Sequence, residues 1–285
     1  MLSYIKSNFS EVKQPGLSAI FRSIIFWALF LFLLFIGIMF IAKLFPASWE
    51  RFVYGITGTI AALIATWILL KIDRKKFSEI GLAWQNKPFL NFFKGIAIGS
   101  FVFGVLLSAL LLFTELRIEK NNAGIGLLNA AAYLAIIPLA FMEELAFRAY
   151  PFLKINKVFG LRITQLIVAV AFALYHIVIG WGVVIAFLGP GIWAFVFGLS
   201  AKWSNGIAMP TGIHVAVNVL QPLVGMSAGT YTSIWILKYK EGTSAEQISK
   251  TDLVGIILQV FLLISAILLT EYFIRKKSKN LKQFS

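Results

Sequence analysis

The chain has 285 residues, 59% of them hydrophobic, 15% aromatic and only 13% charged, with a mean hydropathy of +0.86. These values exclude an ordinary soluble domain and call for an all-α, polytopic membrane bundle of about eight transmembrane helices. The formal charge of +14 does not imply nucleic acid, because the basic residues cluster beside apolar runs, where they orient helices and meet anionic membrane lipids. The absence of cysteine excludes disulfides, thiolate metal ligands and a cysteine nucleophile.

In chain order, a basic leader carrying Lys6, Lys13 and Arg22 precedes an uncharged run from Ile24 to Ala42, which reads as a retained first span rather than a signal peptide. Further runs of membrane length extend over Phe52 to Leu70, Gly95 to Thr114, Ile125 to Phe147, Ile163 to Gly180, Val183 to Ser200, Gly206 to Val224 and Leu253 to Thr270. The fifth and sixth are nearly continuous across Gly180-Trp181-Gly182. Between Gly225 and Thr251 lies the longest polar connection, with a short apolar piece, Ile234 to Leu237, suited to the membrane interface. No internal repeat or second domain is evident, so residues 1–285 are read as a single integral-membrane domain. Placing the N-terminus inside puts most of the 26 basic residues on the cytoplasmic side, including Arg148, Lys154, Lys157, Arg162 and the cluster from Arg275 to Lys282. The expected location is therefore the cell membrane, multi-pass, with both termini cytoplasmic.

The chain has two histidines, His176 and His214, and both fall in apolar stretches, as does the pair Glu143-Glu144. Ionisable groups are costly at membrane depth and are usually functional there. Glu144 and Arg148 are four apart on a helix and can neutralise each other, with the acid in the favourable N-terminal place. Glu143 lies about 100° around the same helix and keeps no such partner, which suits a general base acting on water. The plainer reading is that both glutamates cap the cytoplasmic end of the fourth span. Phe172 precedes His176 by one turn and can orient its ring, although a lone histidine on an apolar face is also commonly a hydrogen-bonded core residue. His214 and Asn218 share a face and can donate hydrogen bonds to a developing oxyanion; Asn218 by itself reads equally well as interhelical glue.

No Gly-x-Ser-x-Gly is present, and Ser108, Ser200 and Ser204 lack an adjacent base. Two histidines and one or two glutamates leave room for a divalent metal such as zinc, but no His-Glu-x-x-His supports it. Water activation by Glu143 is the more economical reading.

The three blocks, Glu143-Glu144-x-x-x-Arg148, Phe172-x-x-x-His176 and His214-x-x-x-Asn218, resemble the CPBP family, the CAAX-processing and bacteriocin-processing intramembrane proteases also called Abi proteins. Each block alone is a weak signal; all three in order on separate spans are a strong one. The resemblance covers a CPBP-like catalytic core from about residue 140 to 220, including Gly198-Leu-Ser-Ala-Lys-Trp-Ser-Asn-Gly-Ile-Ala-Met-Pro210 before His214; Ala149 stands where the family often has glycine. It implies an intramembrane endopeptidase with Glu143, Glu144, Arg148, His176, His214 and Asn218 as its site, in which Glu143 and His176 activate water and His214 with Asn218 hold the oxyanion. The implied substrate is a membrane-anchored peptide or protein. Members are often labelled metalloproteases, although a metal-independent glutamate mechanism has also been argued. Two other classes fit some of the same features: a non-catalytic membrane scaffold or bacteriocin-immunity protein, and a proton-coupled transporter using Glu143 and His176 as a relay, which the lack of paired broken helices disfavours.

A convergent site needs equal depths. Ending the fourth helix at Pro151 puts Glu143 about 12 Å in, and starting the seventh at Asn205 puts His214 about 13 Å in, whereas counting from Arg162 puts His176 about 21 Å in. On these boundaries His176 does not reach the others.

Overall fold

A computed structural model describes residues 15–80, 87–122, 132–226 and 232–282. Its helices are α1 (Pro15–Ile41), α2 (Glu50–Asp73), α3 (Pro88–Phe113), α4 (Ile136–Arg148), α5 (Tyr150–Val178), α6 (Val183–Ala186), α7 (Ile192–Ser204), α8 (Ala208–Leu223) and α9 (Ala245–Lys282), with strands β1 (Leu116–Lys120) and β2 (Trp235–Tyr239). Lys6, Lys13 and the start of the expected fourth span, from Ile125 to Ala131, lie outside the described residues.

The expected count of eight spans is corrected. Among the described residues six stretches are long and apolar enough to cross a membrane. The expected fourth and fifth spans run together over Ala132–Val178, and α8, at 16 residues, is shorter than the ~20 that a bilayer core requires. These lengths make the chain a multi-pass membrane protein. The helical class holds with one addition: the piece expected to lie in the interface, Ile234 to Leu237, belongs largely to β2, which pairs antiparallel with β1 in a register that sets Ile118 opposite Leu237.

The break between α4 and α5 falls at Ala149, whose ψ of −109° leaves the helical region. Pro151 is its local cause, since it has no N–H to offer the preceding turn and its ring crowds the carbonyl of Phe147. The Trp27 indole N–H of α1 donates to the Ala146 carbonyl at 3.2 Å beside this break. α5 is itself interrupted at Gly160, where φ is +73° and ψ 177°, a combination essentially restricted to glycine. The polypeptide turns there, so the fourth span ends at Gly160 and not near Phe147.

Arg148 is consequently not in a cytoplasmic loop, as the sequence count had it, but has a fully buried side chain. Further along, Tyr150 and Lys154 both bond Asp73 at the end of α2, which Arg22 of α1 also pairs at 2.8 Å.

Lipid tails are as apolar as leucine, so close backbone packing has to hold such helices together. α3 and α8 meet through small residues: a Cβ on Gly95 would stand 2.2 Å from the Met209 carbonyl oxygen, and one on Gly212 would stand 2.1 Å from that of Phe92. α2 approaches α4 in the same way, since a Cβ on Gly58 would lie 1.9 Å from the Met142 sulfur. The core between these pairs is filled by Phe26, Phe30 and Leu34 of α1, Leu69 of α2, Phe147 of α4, Phe172 of α5 and Phe197 of α7. It seats α4, α5 and α8 side by side, and these three helices carry the ionisable residues.

Candidate active site

Glu143, Glu144, Arg148, His176 and His214 come together, each at most 9% exposed. Taking Gly160 as the turn brings the counts for Glu143 and His176 into agreement and leaves the count for His214 as it was. Glu143 lies 17 residues before it and His176 16 after it, equivalent to about 25 and 24 Å along helix at 1.5 Å per residue. Arg162 sits in the first turn of the helical arm that starts after Gly160 and forms an ion pair with Glu271 of α9.

The local spacing of Glu144 and Arg148 is realised as an i,i+4 ion pair of 3.4 Å with both side chains fully buried. The same Glu144 Oε1 accepts a hydrogen bond from His214 Nδ1 at 2.9 Å, a contact across 70 residues that no local spacing encodes. Arg148 lies over aromatic faces, its guanidinium carbon 4.3 Å from the Phe172 ring centroid and 5.1 Å from that of Phe197. Because the guanidinium is fully buried, this disposition contributes cation–π attraction. Its Nε and Nη2 have no hydrogen-bond partner among the described residues.

His176 donates from Nδ1 to the Phe172 carbonyl at 2.8 Å, and the Phe172 ring meets the imidazole edge-on at a centroid distance of 4.6 Å. His214 is stacked on Phe197 at 4.7 Å with an interplanar angle of 17°. With each Nδ1 engaged, each Nε2 is turned toward Glu143: Oε2 is 3.6 Å from Nε2 of His214 and 4.0 Å from Nε2 of His176. Oε2 has no hydrogen-bond partner among the described residues. Three acceptor atoms thus face one another across gaps too long for direct hydrogen bonds. Such a triangle is satisfied by a small donor at its centre, because buried polar groups left unpaired cost about 1–3 kcal/mol each.

Asn218 follows His214 by one turn on α8 and is half-buried, without a hydrogen bond to the other five among the described residues. Among those residues no group of three His, Asp or Glu is arranged to hold a metal ion. The zinc ligand set therefore does not fit as the side chains stand.

Several neighbours escaped the sequence reading. Tyr175 and Tyr54 approach hydroxyl to hydroxyl at 3.3 Å and lie within electrostatic reach of Glu143. Phe197 supplies the platform for His214, and Trp181 sets its indole against His176 at 5.0 Å. Tyr175 and Trp181, one and five residues from His176, had a local signal; Tyr54 and Phe197 arrive from separate elements.

The fold and this cluster define a membrane-embedded helical protein with a buried, hydrogen-bonded carboxylate and imidazole site. Residues 124–220 match the family described as type II CAAX prenyl endopeptidase Rce1-like, and the chain carries a domain of that family over those residues. No curated protein matches the chain.

Proposed function

We propose that the protein is an intramembrane endopeptidase that hydrolyses a peptide bond in a membrane-anchored or membrane-associated substrate by glutamate-activated water. The observation that carries this reading is the unpartnered Oε2 of Glu143 facing the Nε2 atoms of both histidines within 4.0 Å. A water held in this triangle donates its protons to Glu143 Oε2 and His176 Nε2 while its oxygen attacks the scissile carbonyl. The new C–O bond forms as one O–H bond breaks and the proton passes to Glu143. His176, held by the Phe172 carbonyl, fixes the water's orientation. The amide C–N bond then breaks, and the proton on Glu143 goes to the leaving amine.

His214 and Asn218 hold the oxyanion of the tetrahedral intermediate. Since Nδ1 of His214 already donates to Glu144, a donor role at Nε2 requires the imidazolium form. That form has a carboxylate on either side, Glu144 at 2.9 Å and Glu143 at 3.6 Å. Arg148 keeps Glu144 in place and balances it. Excess basic residues on one side of the membrane support cytoplasmic termini, and lipids form the surroundings through which substrate arrives.

Glu143→Ala tests the reading. Purified into liposomes, the variant is expected to keep the wild-type elution profile and melting temperature while releasing no product from lipid-anchored peptide libraries that the wild type cleaves. Unchanged cleavage overturns the assignment. A wild type that cleaves nothing, with the motif variants losing expression and not activity, favours a non-catalytic scaffold.

A further inference from the structure

Trp181 follows the end of α5 by three residues, and its backbone N–H donates to the carbonyl of His176 itself at 2.9 Å. This bond folds the connection back so that the indole meets the His176 imidazole at 5.0 Å and 79°. The indole is 46% exposed while His176 is 6% exposed, so one side of Trp181 faces outward and the other closes over the ring. Gly180 and Gly182 flank it, and a Cβ on either would meet nothing within 4 Å. Close packing therefore does not explain these glycines. Gly180 has φ +101° and needs to be glycine; Gly182 has φ −63° and ψ 143°, which any residue adopts. Beyond them Val183, Val184 and Ile185 are each about three-fifths exposed, a strip of apolar side chains beside the covered histidine.

We infer that Trp181 is the removable wall of the site: a substrate displaces the indole from His176 and seats an apolar side chain next to the scissile bond in its place, so that Trp181 determines which residue is accepted there. This rests on the endopeptidase reading for its substrate but not for its geometry. A ring leaving His176 breaks no hydrogen bond that the indole makes among the described residues, so its displacement costs packing alone. The main-chain bond to the His176 carbonyl can persist while the side chain turns.

The test uses the full chain in liposomes and two readouts. Diethyl pyrocarbonate acylates neutral imidazole nitrogen, and the chain has two histidines, so mass spectrometry resolves each. Trp181→Ala is expected to raise the rate of His176 acylation about tenfold, as for a cover closed about nine-tenths of the time, and to leave His214 unchanged. Trp181→Phe is expected to fall between. In parallel, lipid-anchored peptides carrying Ala, Leu or Trp beside the cleaved bond are expected to show KM falling in Trp181→Ala, most for the Leu and Trp peptides, because no indole then has to be displaced. Equal acylation of His176 in variant and wild type, or a rise of both histidines together, overturns the inference. A wild type that cleaves no peptide while Trp181→Ala still exposes His176 selectively overturns the endopeptidase reading and leaves the wall standing.

Discussion

The pairing of Arg148 with Glu144 is the contact whose loss should be felt most sharply. Arg148→Met keeps an unbranched apolar stem of similar length but leaves Glu144, which is 0% exposed, with only His214 Nδ1 as its partner. Removing one member of a buried ion pair costs about 3–5 kcal/mol, mainly because the remaining charge is uncompensated. Loss of the stacking on Phe172 and Phe197 adds about 0.5–2 kcal/mol. For a chain of this size about 1 kcal/mol corresponds to roughly 2–4 °C, so a fall in melting temperature of about 7–28 °C is expected. Intrinsic tryptophan fluorescence during heating measures it, and thiol-reactive dyes do not apply to a chain without cysteine. The diagnostic variant is the double substitution Arg148→Met with Glu144→Gln. Gln removes the charge yet keeps an oxygen that accepts from His214, so the double variant should melt well above Arg148→Met alone. A single variant within 2 °C of wild type, or a double variant no better than the single one, refutes the argument from uncompensated charge.

Two further substitutions probe how the backbone brings the site together. Gly212→Ala drives a methyl toward the Phe92 carbonyl, 2.1 Å away, and backbone cannot yield as a side chain does; loss of the folded, monodisperse species on gel filtration is expected. Gly104→Ala, where a Cβ meets nothing within 4 Å, is the matched control and should be neutral or stabilising by about 0.5–1 kcal/mol. Gly160→Ala has space for its methyl but not the backbone conformation. It should cost about 1–3 kcal/mol and lower peptidase turnover by shifting His176 away from Glu143; a variant with wild-type melting temperature and turnover counts against Gly160 as the turn.

Much of the chemistry was legible in the sequence because it is local. Composition and run length determine that the chain lives in a membrane, and the spacing of Glu144 and Arg148 determines their pairing, since residues four apart share a helix face whatever surrounds them. The three motif blocks were legible as well, and so was the choice of Glu143 as the carboxylate without an arginine. Tertiary structure decided the rest. Where the fourth span ends depends on a break at Ala149 and a turn at Gly160, and a count from Pro151 misplaced that boundary and, with it, the depth of Glu143. The bond from His214 to Glu144, the stacking of His214 on Phe197 and the approach of both Nε2 atoms to Glu143 depend on how closely α8 and α3, and α4 and α2, can approach at their glycines. That distance is set by atoms far apart in the chain, and it converts a list of ionisable residues into a site.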